Sequence, residues 1–218
     1  MSGAARDHFV DAYASGALGA GLSLLVETQA LIVPDVGARV RAAEAVSGVF
    51  LELETPAALH EEALAHVLAR IEASAPAPAP APGGPTRAFM AEVARLPAPV
   101  RAAAFEALRA RDWAFGGPGL RILDLKLPDE ARVELIRIEP GFAAPRHTHA
   151  GEEYTLVLTG AYHDGLARYG VGDIARAGPD IVHRPQAEQD EVCYNLAVSE
   201  GPLLFTGFMG AAQKLWLT

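Results

Sequence analysis

The chain has 218 residues, of which 50% are hydrophobic, and its formal net charge at pH 7 is −9. This length suits one large domain or two small ones, and the apolar fraction is ample for a buried core. The acidic balance argues against a nucleic-acid-binding protein, because contacts to phosphate groups need a basic surface.

Neither a targeting signal nor a membrane segment is expected. The sequence has no run of about 20 apolar residues to span a bilayer, and its N-terminus lacks the basic and hydrophobic regions of a secretory signal. The single cysteine, Cys193, excludes an intramolecular disulfide framework and a cysteine-rich zinc module. We therefore expect a cytoplasmic protein with no nucleic acid or membrane partner.

The first 73 residues predict a small bundle of four short helices. Their approximate ranges are 7–16, 22–33, 35–50 and 55–71. The second helix ends before Pro34, and the fourth is predicted to begin with Thr55 as N-cap and Pro56 as its first helical residue. A bundle this small is marginally stable alone, and an exposed apolar seam on it would favour a partner.

This helical part is also the more acidic part of the chain. Residues 1–73 hold four arginines and ten Asp or Glu side chains, a formal charge of −6, while residues 74–218 have a formal charge of −3. Two explanations stay open: an ordinary solvated surface, or a partner with a basic surface that electrostatic complementarity would steer toward it.

A proline–alanine tract, "SAPAPAPAPGGPT" at 74–86, follows the helices and predicts an extended, semi-rigid spacer. The next stretch, 87–113, predicts one or two connecting helices that are broken at Pro97 and Pro99. The sequence is therefore divided into a helical domain at 1–73, a linker with connecting helices at 74–112, and a third segment at 113–218.

The third segment changes to short runs of alternating apolar and polar residues. Seven such runs lie at 120–127, 131–138, 153–160, 172–177, 191–198, 203–208 and 214–218. Several short strands at regular spacing predict a closed barrel or a jelly roll.

Four polar residues in this segment have the spacing of metal ligands. His147 and His149 are two residues apart, so on an extended chain both side chains leave the same face. Glu153 follows at a distance that a short turn can fold back, and His183 comes from the next strand pair. Three imidazoles and one carboxylate suit zinc, iron, manganese, nickel or copper. The alternative is a set of solvated turn residues.

The spacing around these residues resembles the first signature motif of the cupin superfamily, which runs here from Gly141 to Gly160. The second motif is partly met, because Gly172 and His183 stand at fitting positions but "GPDIV" replaces the usual proline-x-glycine. The asparagine that usually follows the histidine is absent. The fold class expected is α+β with two domains, a small N-terminal helical bundle followed by a C-terminal all-β cupin barrel, or jelly roll.

The remaining candidate residues have ordinary explanations. Cys193 lies in an apolar run and is predicted to be a buried thiol, not a nucleophile. Arg146 and Arg184 each flank a candidate ligand and are expected to point to solvent. His60, His66 and His163 are expected at the surface, and His8 is expected to be an ordinary residue in the first turn of the first helix.

An acidic helical unit joined to a cupin resembles the ChrR-type anti-sigma factors, and the resemblance covers nearly the whole chain. The matching stretches are 11–29, 140–164 and 168–185. The resemblance implies that the helical domain binds an extracytoplasmic-function (ECF) sigma factor and keeps it from RNA polymerase. It also implies that the cupin binds zinc, through His147, His149, Glu153 and His183, and helps to release the sigma factor under singlet oxygen or related oxidative stress.

The helical domain departs from the family pattern. The family usually binds a second zinc there through an H-x3-C-x2-C cluster and an N-terminal histidine. This chain has Gln29, Val33 and Val36 at the cluster positions, and Ala4 falls near the position of the histidine. Valine cannot bind zinc, so no metal is expected in residues 1–73.

The leading hypothesis is therefore a regulatory anti-sigma factor, not an enzyme, which senses stress through one divalent metal in its cupin. Zinc is favoured, with iron, manganese or nickel as alternatives. A homodimer is an option when the sigma partner is absent. The main alternative is a cupin metalloenzyme of the dioxygenase kind whose helical half serves oligomerisation. A metal-free ligand-binding barrel is disfavoured by the intact ligand set.

Overall fold

The structure is a computed structural model that describes residues 3–73 and 86–206. The proline–alanine tract at 74–85 and the strand predicted at 214–218 lie outside the described residues. Within the two described ranges, every helix is too short or too polar to span a lipid bilayer.

Six helices precede the strands. They are α1 Gly3–Ala14, α2 Ala20–Ile32, α3 Pro34–Glu52, α4 Ala63–Ala73, α5 Thr86–Val93 and α6 Ala98–Ala110. The first three agree with the predicted helices to within a few residues. Pro97 precedes α6 and separates it from α5, whereas Pro99 lies in the first turn of α6, where a missing N–H does no harm.

The prediction that Thr55 caps the fourth helix is wrong, because α4 begins only at Ala63. The segment 55–60 has no regular structure, and Leu59 within it is 85% exposed. No residue of α4 is buried. Most helical stability in proteins comes from packing of an apolar face. Because α4 has no such packing, the helix-starting residues Thr55 and Pro56 do not suffice to begin the helix two turns earlier.

Helix α2 joins the helical unit to the rest of the protein. Leu25 on one face is fully buried in the core beneath the large sheet, while Val26 on another face packs with Val10 and Val36 of the neighbouring helices. The side chain of Gln29 donates a buried hydrogen bond to the carbonyl of Gly172, at 2.9 Å. The first three helices are thus docked through α2 and do not form a free bundle.

The N-terminus of α2 is held by the strand region as well. The backbone N–H of Gly21 donates to Oδ2 of Asp129, at 2.6 Å. The N-cap position is Gly19, which has no side chain to accept a hydrogen bond. A carboxylate from a distant segment therefore satisfies a free N–H group at the positive end of the helix dipole.

Eleven strands follow in the described residues. They are β1 Ala114–Gly117, β2 Leu120–Asp124, β3 Arg132–Ile138, β4 His147–His149, β5 Glu153–Thr159, β6 Ala161–His163, β7 Arg168–Gly170, β8 Ile174–Ala177, β9 Gln186–Ala187, β10 Cys193–Ser199 and β11 Leu203–Phe205. Six of the seven predicted runs coincide with strands. The strands outside these runs are β1, β4, β6, β7 and β9, which have two to four residues each, too few to show an alternating pattern.

The strands form three antiparallel sheets. A six-stranded sheet has the order β1-β2-β3-β10-β5-β8, and two smaller sheets have the orders β11-β4 and β7-β6-β9. The smaller sheets lie across an inner core from the large one. That core contains Val157, Tyr162 and Cys193, so the predicted burial of the thiol is confirmed. The α+β order, with helices first and an antiparallel β barrel after them, agrees with the predicted fold class.

The outer face of the large sheet carries a second core, which also holds α5 and α6. Val100, Ala104, Ala107 and Leu108 recur at helical spacing along α6 and are all buried. The connecting helices therefore pack on the barrel instead of lying free between two domains. The division of the chain at residues 73 and 112 stays a prediction.

Candidate functional site

The structure brings three of the four predicted ligands together. His147 and His149 lie at the two ends of β4 and face the barrel interior. His183 lies on the opposite segment, where its N–H and C=O exchange hydrogen bonds with those of His147, at 3.0 and 3.1 Å. This backbone bridge places the third imidazole against the first two. The three residues are 1–5% exposed.

The three rings converge on their Nε2 atoms. Nε2 of His183 lies 2.9 Å from Nε2 of His147 and 3.0 Å from Nε2 of His149. All three offer a ligand atom within 4.8 Å of the others. The centre of this histidine cluster is therefore lined by three nitrogen atoms of the kind that bind transition metals.

Burial keeps these imidazoles ready to bind a cation. Burial, as the largest cause, and the nearby imidazole of His147 together lower the pKa of His183 to about 4. Burial likewise lowers the pKa of His147 below its usual value of 6.5. At neutral pH both rings are uncharged, which is the form that donates a lone pair to a metal.

Each ring also has an oxygen atom on its Nδ1 side. Nδ1 of His147 lies 2.6 Å from the carbonyl oxygen of Pro145, Nδ1 of His149 lies 3.5 Å from Oε2 of Glu153, and Nδ1 of His183 lies 3.9 Å from Oδ2 of Asp164. A carbonyl oxygen can only accept a hydrogen bond, so the proton of His147 resides on Nδ1 and leaves Nε2 free.

Glu153, the fourth predicted ligand, lies at the edge of the cluster. It begins β5, and its side chain is 12% exposed. Its carboxylate accepts hydrogen bonds from the hydroxyl groups of Ser199, at 2.7 Å, and Thr155, at 3.1 Å. Glu153 is adjacent to the three histidines, and its role as a direct ligand stays a prediction.

The donor set fits a metal ion. Two nitrogens that each lie roughly 2 Å from a tetrahedral zinc are separated by about 3.3 Å, and the observed separations of 2.9 and 3.0 Å are only slightly shorter. A cavity of about 100 Å³ adjoins the cluster, with Glu153 on its wall and mainly apolar side chains around it. It leaves room beside the three nitrogens for a fourth ligand or a water molecule.

The residues expected at the surface are found there. Arg146 and Arg184 are exposed and do not face the cavity. His163 is exposed at the end of β6. His60 and His66 are also exposed. His60 lies before the start of α4 and not on the helix, and its ring stacks on that of His66, with 6.3 Å between the ring centroids.

The three positions at which the family pattern expects zinc ligands in the helical unit have other contacts here. Gln29 bonds the carbonyl of Gly172, Val33 lies against the same glycine, and Val36 is buried among the apolar side chains of α1–α3. The absence of a metal in residues 1–73 stays a prediction.

Sequence reasoning missed Asp164 and Asp129. Asp164 precedes a glycine, and such a pair marks a turn. Nothing local indicates that its carboxylate lies beside His183, nor that Asp129 reaches a helix that ends almost a hundred residues earlier.

A second candidate site is an exposed apolar surface on the helices. It spans the C-terminal half of α3 and the whole of α4, and we call it the apolar helical surface. Its members are Val46, Val49, Phe50, Leu51, Leu53, Leu59, Leu64, Val67, Leu68 and Ile71, which are 50–85% exposed. In α4 the apolar residues recur three and four positions apart, so they form one stripe along the helix.

Comparison with known proteins gives matches over most of the chain. The sequence profile of the ChrR cupin-like domain matches residues 102–203. The chain is 37% identical over 203 residues to the anti-sigma-E factor ChrR of Cereibacter sphaeroides, and the match covers 93% of this chain and 92% of the relative. The crystal structure of Rhodobacter sphaeroides SigE in complex with the anti-sigma ChrR matches with a TM-score of 0.65 and 34% identity, over 88% of this chain and 96% of that one.

Proposed function

Because the chain belongs to the ChrR family of anti-sigma factors, we propose that it binds an ECF sigma factor through its N-terminal helices. We further propose that a metal in its cupin domain controls this binding. The proposed function is that of a cytoplasmic regulator whose partner is another protein.

The apolar helical surface is the observation that carries the sigma-binding part. Leu64 and Ile71 of α4 are 71% and 64% exposed, and neither contacts the core of the protein. Exposed apolar residues in such number are typical of an interaction site, and an amphipathic helix commonly binds in an apolar groove of its partner. The charge of −6 on residues 1–73 would favour a groove with a basic rim.

The metal would be held by His147, His149 and His183, with Glu153 as the fourth ligand. Zinc is favoured, since three imidazoles and one carboxylate satisfy its preferred four-coordinate geometry. When bound, the ion contributes binding free energy that ties β4, β5 and the loop of His183 together. The support is the convergence of the three Nε2 atoms and the lowered pKa of two of the rings.

The resemblance to the family suggests singlet oxygen or a related oxidant as the signal. Such a signal would act on the cupin, and a change in its metal centre would weaken the hold of the helices on the sigma factor. Without a sigma factor, two copies of the chain could cover each other's apolar helical surfaces, which would give a homodimer. The cupin metalloenzyme is set aside, because the family is one of regulators.

The sigma-binding part is tested with a substitution in the centre of α4. The ECF sigma factors of the host are expressed one at a time, and their affinity is measured for the wild-type chain and for Leu64→Asp. We expect one of them to bind the wild type and the variant to bind at least tenfold more weakly. Burial of one leucine side chain contributes about 1.5–3 kcal/mol, and an unpaired carboxylate in the interface adds to the loss.

The control is Phe115→Asp, which places the same charge on the cupin at a phenylalanine that is 71% exposed. This variant should bind like the wild type. An equal loss in both variants, or no binding by any sigma factor, would contradict the proposal. The metal part is tested separately by repeating the measurement after chelation and after exposure to singlet oxygen; unchanged affinity under both conditions would remove the sensing role and leave sigma binding intact.

A further inference from the structure

Asp164 is a buried carboxylate in the turn that follows β6. The residue is 7% exposed. Its Oδ1 accepts hydrogen bonds from the backbone N–H groups of Leu166, at 2.8 Å, and Ala167, at 2.9 Å. These two contacts form a side-chain turn of the kind that aspartate and asparagine both support.

The second oxygen of Asp164 has a different environment. Oδ2 lies 3.9 Å from Nδ1 of His183, and both side chains are at most 5% exposed. This separation is longer than a hydrogen bond, so the interaction across it is electrostatic. Residues 164 and 183 both lie outside the named strands, and the backbone N–H of Arg184 donates to the carbonyl of Asp164, at 3.4 Å, which keeps the two segments side by side.

The position of Asp164 matters because His183 is the central ring of the cluster. Its Nε2 lies within 3.0 Å of both other Nε2 atoms, so this nitrogen has to be free of a proton when the three rings share a cation. A neutral imidazole has one N–H group. The proton of His183 must then reside on Nδ1, the nitrogen that faces the carboxylate.

We propose that Asp164 is a positioning residue for the metal centre, which holds His183 in the Nδ1–H tautomer with Nε2 facing the other two histidines. The proposal rests on the metal site put forward above. The carboxylate lies on the Nδ1 side of His183, as the carbonyl of Pro145 does at His147, although at 3.9 Å instead of 2.6 Å. Such partners orient ligating histidines and raise their basicity.

The test is Asp164→Asn in the full-length chain. The amide oxygen can still accept from Leu166 and Ala167, so the turn is kept. The amide nitrogen then faces Nδ1 of His183 and donates to it, which favours the opposite tautomer, with the proton on Nε2. Zinc affinity, measured by competition with a chromophoric chelator, should fall 10- to 100-fold.

A second readout separates positioning from a merely structural role. In the metal-free protein, nitrogen NMR of the histidine rings should show a larger share of the Nδ1–H tautomer of His183 in the wild type than in the variant. The control is Asp173→Asn, because Oδ2 of Asp173 accepts from the backbone N–H of Gly170, at 2.9 Å, in an exposed turn. This control should change neither readout.

Wild-type zinc affinity together with an unchanged tautomer in Asp164→Asn would overturn the proposal. An equal loss of affinity in Asp173→Asn would also overturn it, since the effect would then come from the turns. If the wild-type chain binds no zinc, the proposed metal centre fails. The tautomer measurement needs no metal and still decides whether Asp164 orients His183.

Discussion

His147 and His183 are held together by main-chain as well as side-chain contacts. The two residues exchange both backbone hydrogen bonds, at 3.1 and 3.0 Å, and their Nε2 atoms lie 2.9 Å apart. Because the bridge uses only backbone groups, loss of one imidazole removes a nitrogen donor without removing the pairing of the two segments. Substitution of a single histidine therefore tests metal binding with little effect on the fold.

We expect His147→Ala to abolish the bound metal. Two imidazoles and one carboxylate would be left, and a three-ligand site binds zinc far less tightly than a four-ligand site. The measurement is metal analysis of the purified protein. His163→Ala serves as the control, because His163 is exposed on β6 and is not a member of the histidine cluster. Retention of a full equivalent of metal by His147→Ala would show that the ligands are different residues.

At the scale of elements, α5 is held on the large sheet by an ion pair whose arginine is buried and whose glutamate is half-buried. The guanidinium group of Arg137 on β3 donates to both carboxylate oxygens of Glu92 on α5, at 2.7 and 3.1 Å. The side chain of Arg137 is 5% exposed. A third hydrogen bond goes to Glu139, at 2.6 Å, and the ring of Phe89 covers the guanidinium group, with 4.4 Å to its centroid. The chain after the proline–alanine tract is thus fixed to the barrel as soon as it becomes helical.

We expect Glu92→Gln to lower the free energy of unfolding by about 2 kcal/mol at pH 7, because a hydrogen bond between charged groups is replaced by a neutral one. The hydrogen bond from Arg137 lowers the pKa of Glu92 below 4.5. The stabilisation is therefore fully present above pH 4.5 and is lost as the pH falls through the lower value of the folded state.

Chemical unfolding of wild type and variant across this range checks the prediction, and the two curves should converge in acid. Glu106→Gln is the matched control, since Glu106 pairs with Arg109 on the exposed face of α6. Exposed pairs contribute at most about 1 kcal/mol. A difference between wild type and Glu92→Gln that persists unchanged below pH 4 would mean that the carboxylate is not the source of the stabilisation.

At the scale of the whole molecule, α2 decides how the helical unit sits on the barrel. Asp129 holds its N-terminus, and Gly172 accepts the hydrogen bond of Gln29 near its C-terminus. Gly172 has a φ of 86°, and a Cβ atom there would lie 2.6 Å from Cγ2 of Val33. The close approach of the two parts therefore depends on the missing side chain of one glycine.

We expect Gly172→Ala to destabilise the protein more than Gly16→Ala does. Both glycines have positive φ, of 86° and 70°, so both substitutions carry the strain of a left-handed backbone, about 1–2 kcal/mol. Only Gly172 has a neighbour within 4 Å of the added Cβ, and such overpacking adds about 1–3 kcal/mol. Chemical unfolding of both variants measures the difference. Equal destabilisation would show that α2 does not pack closely on the Gly172 turn.

The docking of α2 has a consequence for the proposed function. It leaves the apolar helical surface on the side of the helical unit that does not contact the barrel, because α4 has no buried residue. A partner can therefore reach this surface while α2 stays in place. The cupin and the partner surface are connected through one helix, and that helix carries Gln29 and abuts Val33, two of the positions where family members have zinc ligands.

Much of this protein was determined by local sequence patterns. The first three helices, six of the seven predicted strands, the burial of Cys193 and the common face of His147 and His149 all follow from periodicities of two or of three to four residues. These features depend on neighbours in the chain, so short windows of sequence contain the necessary information.

The rest was decided by tertiary structure. The late start of α4, the contact of Asp164 with His183, the capping of α2 by Asp129 and the use of Gln29 as a hydrogen-bond donor each depend on residues far apart in sequence or on the absence of a packing partner. The metal centre shows both contributions. The residue types and the spacing of His147 and His149 are local, whereas the 2.9 Å approach of His183 spans 36 residues and requires its segment to pair with β4 through the backbone bridge.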